Sequence, residues 1–222
     1  AQPAAIKSWS PKGAGLPIVV SNASNKTENI PGRVSPHKVA VHPTPTQFVA
    51  VVWKSPLAGR IRITANIAHA HNACGNGVAW WIEKQTPNRS AILAQGAGDR
   101  GKSGSTVPIT LTVNRGDNVF LAIEARDRSH VCDLTEIAFT LTEIAKPNRK
   151  WDLAADVADN VLAGNPHSDR LGNKNVWSFV RGPINARPMQ SDAAIPSGSL
   201  LARRRNTAAK PTQRKASVEL AC

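Results

Sequence analysis

From about Arg33 to Ile144 the chain reads as short apolar runs separated by turn residues. Phe48 to Trp53 is apolar at every position and bounded by Pro45 and Pro56, the pattern of a buried strand. Arg60 to Ile67 alternates, with Ile61, Ile63, Ala65 and Ile67 on one side and Arg60, Arg62, Thr64 and Asn66 on the other. Val78 to Glu83 predicts a strand carrying two adjacent tryptophans, and Ala91 to Gln95 a weaker one. Ile109, Leu111 and Val113 alternate with threonines, the turn Asn114 to Asn118 follows, and Val119, Leu121 and Ile123 resume the alternation. Ile137, Phe139 and Leu141 complete the set. Seven or eight strands joined by Gly, Pro, Asn and Asp turns predict an all-β fold, an antiparallel jelly-roll β-sandwich over residues 33–146.

The flanks read differently. Residues 1–32 are rich in proline and glycine, and only Leu16 to Val20 has the pattern of a strand. We expect an irregular lead-in there. Residues 147–180 predict a short helix and packing segment. Trp151 to Leu162 has Leu153, Val157 and Val161 spaced by four, with Asp152 near the start and Gly164-Asn165-Pro166 as the stop. Val176 to Val180 is a short apolar piece. These residues are expected to pack against the sandwich edge.

Charge and composition sharpen this picture. The net charge is +13, and residues 181–222 hold eight basic against two acidic residues. That stretch is expected to be a basic, disordered tail, with contact to nucleic acid or another polyanion as an alternative function. No apolar run approaches the roughly 20 residues that span a bilayer. The chain starts at Ala1 rather than Met, which is read as a processed protein or a fragment.

Candidate chemistry lies at three places. His69, His71 and Cys74 are close in sequence, as are His130, Cys132 and Asp133; imidazole and thiolate are ligands for zinc or copper, but neither group has zinc-finger spacing. A Cys74–Cys132 disulfide is the favoured reading of the same residues, with Cys222 left over and no metal expected. Asp152, Asp156, Asp159, His167 and Asp169 form an acidic cluster with one histidine, the raw material of a hydrolytic or redox centre, though first-turn aspartates are ordinary helix stabilisers. Arg115-Gly116-Asp117 reads as a turn before a strand. A Gly-x-Ser-x-Gly elbow and a Cys-x-x-Cys-His haem site are both lacking, so those two chemistries are excluded.

Trp80 and Trp81 must point to opposite faces of their strand. In a half-buried sheet one indole enters the core and the other is left on the surface, where an aromatic face stacks on sugar C–H groups. Asn76, Glu83 and Asp133 are the flanking hydrogen-bonding candidates.

Several stretches together resemble a known module. They are His42-Pro43 with Trp53-x-Ser55-Pro56-x-x-Gly59, Cys74-Gly75-Asn76-Gly77-Val78-Ala79-Trp80-Trp81, His130-x-Cys132-Asp133, Trp151-Asp152-Leu153, and Ala163 to Asp169 with Asn175-Val176-Trp177. Over residues 33–180 the chain is similar to a β-sandwich of planctomycete multidomain secreted proteins, which combine cytochrome-c-like segments with planctomycete-specific domains of unknown function. The resemblance implies a galactose-binding-like sandwich, an extracytoplasmic location and Cys74 and Cys132 as disulfide partners. It also implies sugar binding, and together with the tryptophan strand it leads us to expect a non-catalytic carbohydrate-binding role with a polysaccharide or glycan as partner; no cofactor is expected. The haem segments of those proteins have no counterpart in this chain.

Overall fold

A computed structural model describes residues 3–186 and the backbone of a short strand at Val218–Glu219. The strands are β1 (Ile6–Trp9), β2 (Ile18–Asn22), β3 (Glu28–Asn29), β4 (Arg33–Val34), β5 (Lys38–His42), β6 (Gln47–Lys54), β7 (Gly59–His69) and β8 (Val78–Thr86). They continue as β9 (Arg89–Gly98), β10 (Ser103–Ser105), β11 (Ile109–Val113), β12 (Asn118–Ala125), β13 (Thr135–Glu143), β14 (Lys150–Asp152), β15 (Trp177–Pro183) and β16 (Val218–Glu219). The one α-helix among the described residues, α1, is Leu153–Val157.

Two antiparallel sheets face each other. One runs β1-β2-β5-β13-β7-β10, with β11 also pairing β7 and β14 pairing β13; the other runs β16-β15-β6-β12-β8-β9. From β5 to β8 the chain crosses from sheet to sheet at each step, so successive strands contribute to opposite walls of one core. That core holds Val39 and Val41 of β5, Val51 and Trp53 of β6, Ile61 to Ile67 of β7, Leu121 and Ile123 of β12, and Phe139 and Leu141 of β13. The alternation of β7 is realised in full: Ile61, Ile63, Ala65 and Ile67 are buried, while Arg60, Arg62 and Thr64 face solvent.

The unbroken apolar run of β6 also has a physical reason. Its odd positions Val49, Val51 and Trp53 enter the shared core, whereas Phe48, Ala50 and Val52 join Trp81, Ala122 and Val180 in a second buried cluster on the other face. Both faces are apolar, so no alternation is visible.

The flanks depart from expectation. The irregular lead-in expected over residues 1–32 contains β1 and β2, which extend the first sheet through β5; Ile18 to Asn22 pairs with His42 to Lys38. Prolines and glycines there mark the connections, and edge-strand pairing tolerates short elements. The helix expected from Trp151 to Leu162 is cut to five residues. Trp151 is drawn into β14 opposite Leu141, and the Asp152 side chain caps α1 by accepting the Ala155 N–H at 3.2 Å. Leu153, Val157 and Val161 are all buried, so the period reported burial correctly while overstating helix length. The segment is no edge packing either. β15 enters the second sheet as a full partner of β6, Trp177 opposite Trp53.

Buried indoles fasten this segment. Trp151 and Trp177 are fully buried and meet Trp53 and Phe139, with centroids 5.2 and 6.2 Å apart. The Trp151 Nε1–H donates to Asp169 Oδ2 at 2.7 Å and the Trp177 Nε1–H to Asp156 Oδ2 at 2.9 Å. Asp169 also accepts from the backbone of Leu171 and Asn173 and from the Asn173 amide, and Asp156 pairs with Arg170. Burial pushes the Asp156 carboxyl above its ordinary value, and the Trp177 indole and Arg170 pull it part of the way back. Replacing Asp169 with Ala leaves an indole and an amide without their acceptor. Urea unfolding is expected to show a loss of about 3 kcal/mol, and a loss near zero would show that these contacts contribute nothing.

Candidate ligand cleft and histidine cluster

The corner before β8 is built by close approach of backbones. Gly77 has φ +89° and lies so near the Gly98 carbonyl that no side chain fits, and a Cβ on Gly75 would sit 2.7 Å from the Val131 carbonyl oxygen. This contact brings the loop after β7 against the loop before β13. There Cys74 and Cys132 form a disulfide with Cα atoms 5.8 Å apart, closing a sequence separation of 58.

Four histidines and one aspartate gather round the bridge. His69 and Asp133 are buried and face each other, with His69 Nε2 3.7 Å from Asp133 Oδ1. That is an ion-pair distance beyond hydrogen-bond length, and neither His69 Nε2 nor either Asp133 oxygen has a hydrogen-bond partner among the described residues. His69 Nδ1 lies 2.7 Å from the His71 carbonyl oxygen. His71 Nδ1 lies 3.6 Å from Cys74 Sγ. His42 and His130 meet edge to face at 6.0 Å. Burial holds His42 below the ordinary imidazole value of 6.5; the Pro43 carbonyl and Asp133 oppose this, while His130 and His71 add to it.

The cluster closes one end of a cleft of about 610 Å³. Leu16, Ile18, Val20, Ile30 and Leu134 supply apolar lining, and His42, His71 and Asn29 supply polar groups beside Cys132 of the bridge. The cleft lies on the outer side of the first sheet, between it and the N-terminal segment. An apolar concavity ending in a few convergent polar groups is the ordinary form of a small-molecule site.

The residues expected to bind sugar are not brought together. Trp81 is 1% exposed on the outer face of the second sheet; it packs on Phe48 at 5.1 Å and donates its N–H to Glu83 Oε2 at 3.3 Å. It is no platform, because Phe48 and its neighbours make that face apolar and buried too. Glu83 is itself buried and also accepts from Ser90. Trp80 faces the opposite way, packing at the margin of the shared core with its ring over Gly96 of β9. Asn76 is used for structure, its amide donating to the Arg126 carbonyl at 2.9 Å. Asp133 alone sits in the histidine cluster.

The acidic cluster is likewise occupied, since Asp156 and Asp169 hold indoles and Asp152 caps α1. Both His167 ring nitrogens lie against chain carbonyls, of Ser168 at 2.5 Å and Asn160 at 3.1 Å. Asp117 of the Arg-Gly-Asp turn is buried, accepts the Asn114 N–H and pairs with Lys84 at 2.9 Å. The basic-tail expectation falls largely on residues 187–217 and 220–222, outside the described residues, as does Cys222. Sequence reasoning missed His42 and the apolar walls from residues 16–30. The strand pattern at Leu16 to Val20 was visible, but not its pairing with β5.

Comparison with protein-family models and with curated protein sequences gives no match for this chain.

Two solution measurements follow. A bridge spanning 58 residues restricts the unfolded chain, so Cys74→Ala/Cys132→Ala is expected to lose about 4 kcal/mol in urea unfolding, and an unchanged midpoint would contradict this. Because the folded His42 value lies below 6.5, the unfolded chain takes up the proton first. Stability is full above 6.5 and falls as pH drops towards the folded value, levelling off below it. His42→Gln should flatten that part of a Tm–pH curve; an identical slope would show that His42 does not contribute.

Proposed function

We propose that this chain is a non-catalytic, extracytoplasmic binding module whose ligand enters the cleft between the N-terminal segment and the first sheet. The observation that carries the reading is that cleft of about 610 Å³, apolar along its walls and closed by His42, His71 and the disulfide. It suits a compact ligand with an apolar body and one end that hydrogen-bonds imidazole. The disulfide favours an oxidising compartment, and among the described residues no helix is long and apolar enough to cross a membrane. The strand order, β5-β13-β7-β11 in one sheet and β6-β12-β8-β9 in the other, supports reading the fold as a jelly roll of the galactose-binding-like kind. The resemblance to planctomycete secreted proteins agrees with these assignments.

A glycan ligand is the second reading, supported by Trp80, which keeps partial exposure at the edge formed by β9. The two are separated by one pair of variants. Ile30→Trp fills the cleft, and Trp80→Ala removes the indole. An anilinonaphthalene sulfonate probe, with an apolar body and an anionic end, is expected to bind the wild type and Trp80→Ala alike and to be lost with Ile30→Trp. Probe binding unchanged in Ile30→Trp would sink the cleft reading. Retention on polysaccharide gels lost only with Trp80→Ala would establish the glycan reading in its place.

A further inference from the structure

Cys74, Cys132 and His71 have a second use, independent of what the cleft binds. Their donor atoms, two sulfurs and a ring nitrogen, all lie within 4.8 Å of one another. The 3.6 Å between His71 Nδ1 and Cys74 Sγ is close to the separation of about 3.5 Å between sulfur and nitrogen on one tetrahedral zinc ion. The bonded sulfurs need only part to reach ligand spacing, and the loops that carry them are also tied by the Ala70 N–H donating to the Leu134 carbonyl at 2.8 Å and the Asn76 amide donating to the Arg126 carbonyl at 2.9 Å.

We propose that reduction of the Cys74–Cys132 bridge creates a site for a thiophilic divalent cation of the zinc type. The ligands are the two cysteine sulfurs and His71 Nδ1, and the fourth position opens on the cleft. Two features beyond the donor set point to a cation. Asp133, adjacent to Cys132, is fully buried, and neither of its carboxylate oxygens is hydrogen-bonded among the described residues; its neighbour there is His69 Nε2, 3.7 Å from Oδ1 and also without a hydrogen bond. A buried carboxylate on the residue that follows Cys132 supplies a field that favours a dication. His71 and Cys132 both line the cleft, so a metal held there faces open space. Three protein ligands with a vacant fourth position is the pattern of a metal that binds or activates a further ligand.

The chemistry balances with a thiol reductant. Two reductant thiols give two electrons to the Cys74–Cys132 bond and leave as their own disulfide. The S–S bond breaks and each cysteine sulfur takes one proton. Metal binding releases those two protons, giving two thiolate ligands, while His71 contributes a neutral nitrogen lone pair. The bridge is therefore a gate, and oxidised protein has no sulfur donor to offer.

Cobalt(II) is the test ion, because thiolate-to-cobalt charge transfer and ligand-field bands report both the ligands and the geometry. A Cys222→Ser background removes the third thiol. After reduction, this protein is expected to bind one cobalt per chain with tetrahedral bands, and zinc should displace the cobalt and raise the Tm of the reduced protein. The oxidised form should give no bands, and His71→Ala, which leaves the bridge intact, should bind about a hundredfold more weakly once reduced. The proposal is overturned by any of four results. Three of them are reduced protein that gives no thiolate bands, oxidised protein that gives equal bands, and His71→Ala with an unchanged affinity. The fourth is bands that arise only after near-ultraviolet circular dichroism has been lost, which would assign them to unfolded chain.

Discussion

The fold depends on how it buries its tryptophans. Four of the six, Trp53, Trp81, Trp151 and Trp177, are fully enclosed, and each carries an N–H that costs free energy if it loses water without finding an acceptor. Three meet carboxylates: Trp81 meets Glu83, Trp151 meets Asp169, and Trp177 meets Asp156. Trp53 is the exception, with no acceptor among the described residues. In a chain without tyrosine, these indoles supply most of the large aromatic volume, and the acids near them are structural partners.

That requirement explains both departures at the sites expected to carry function. The tryptophan strand and the acidic cluster each look like chemistry in the sequence, because an exposed indole binds and a cluster of acids catalyses. In the fold the two sets satisfy each other or their own backbone. Glu83 is used by Trp81, and Asp156 and Asp169 hold the last strand in place. What is left over is the group whose polar atoms are not consumed: Asp133 and His69, beside a disulfide and at the end of a cleft.

Much of the sandwich was legible because alternation is a direct report of one buried face. Residues Ile61 to Ile67 and Ile109 to Val113 gave their strands with little error. The flanks were less legible, since β1 is a four-residue strand defined by its pairing with β2 and β15 by its pairing with the distant β6, and pairing leaves no local signature. The disulfide could be read because only two cysteines lie within the strand-rich region. The cleft could not, because its walls come from Leu16 to Ile30 while its polar end comes from His42, His71 and Cys132, and only the folded register brings them together.

The double-faced burial of β6 has a consequence for synthesis of the protein. Phe48 to Trp53 leaves the ribosome well before one of its two strand neighbours, β15 at Trp177–Pro183. About 120 residues separate them, which is on the order of ten seconds of translation. Through that interval a strand with apolar side chains on both faces has one open edge, the geometry that recruits other chains. Its long-range pairing also makes closure slow. A nascent chain of this design needs shielding until β15 has been made, and truncation before residue 177 would make that exposure permanent.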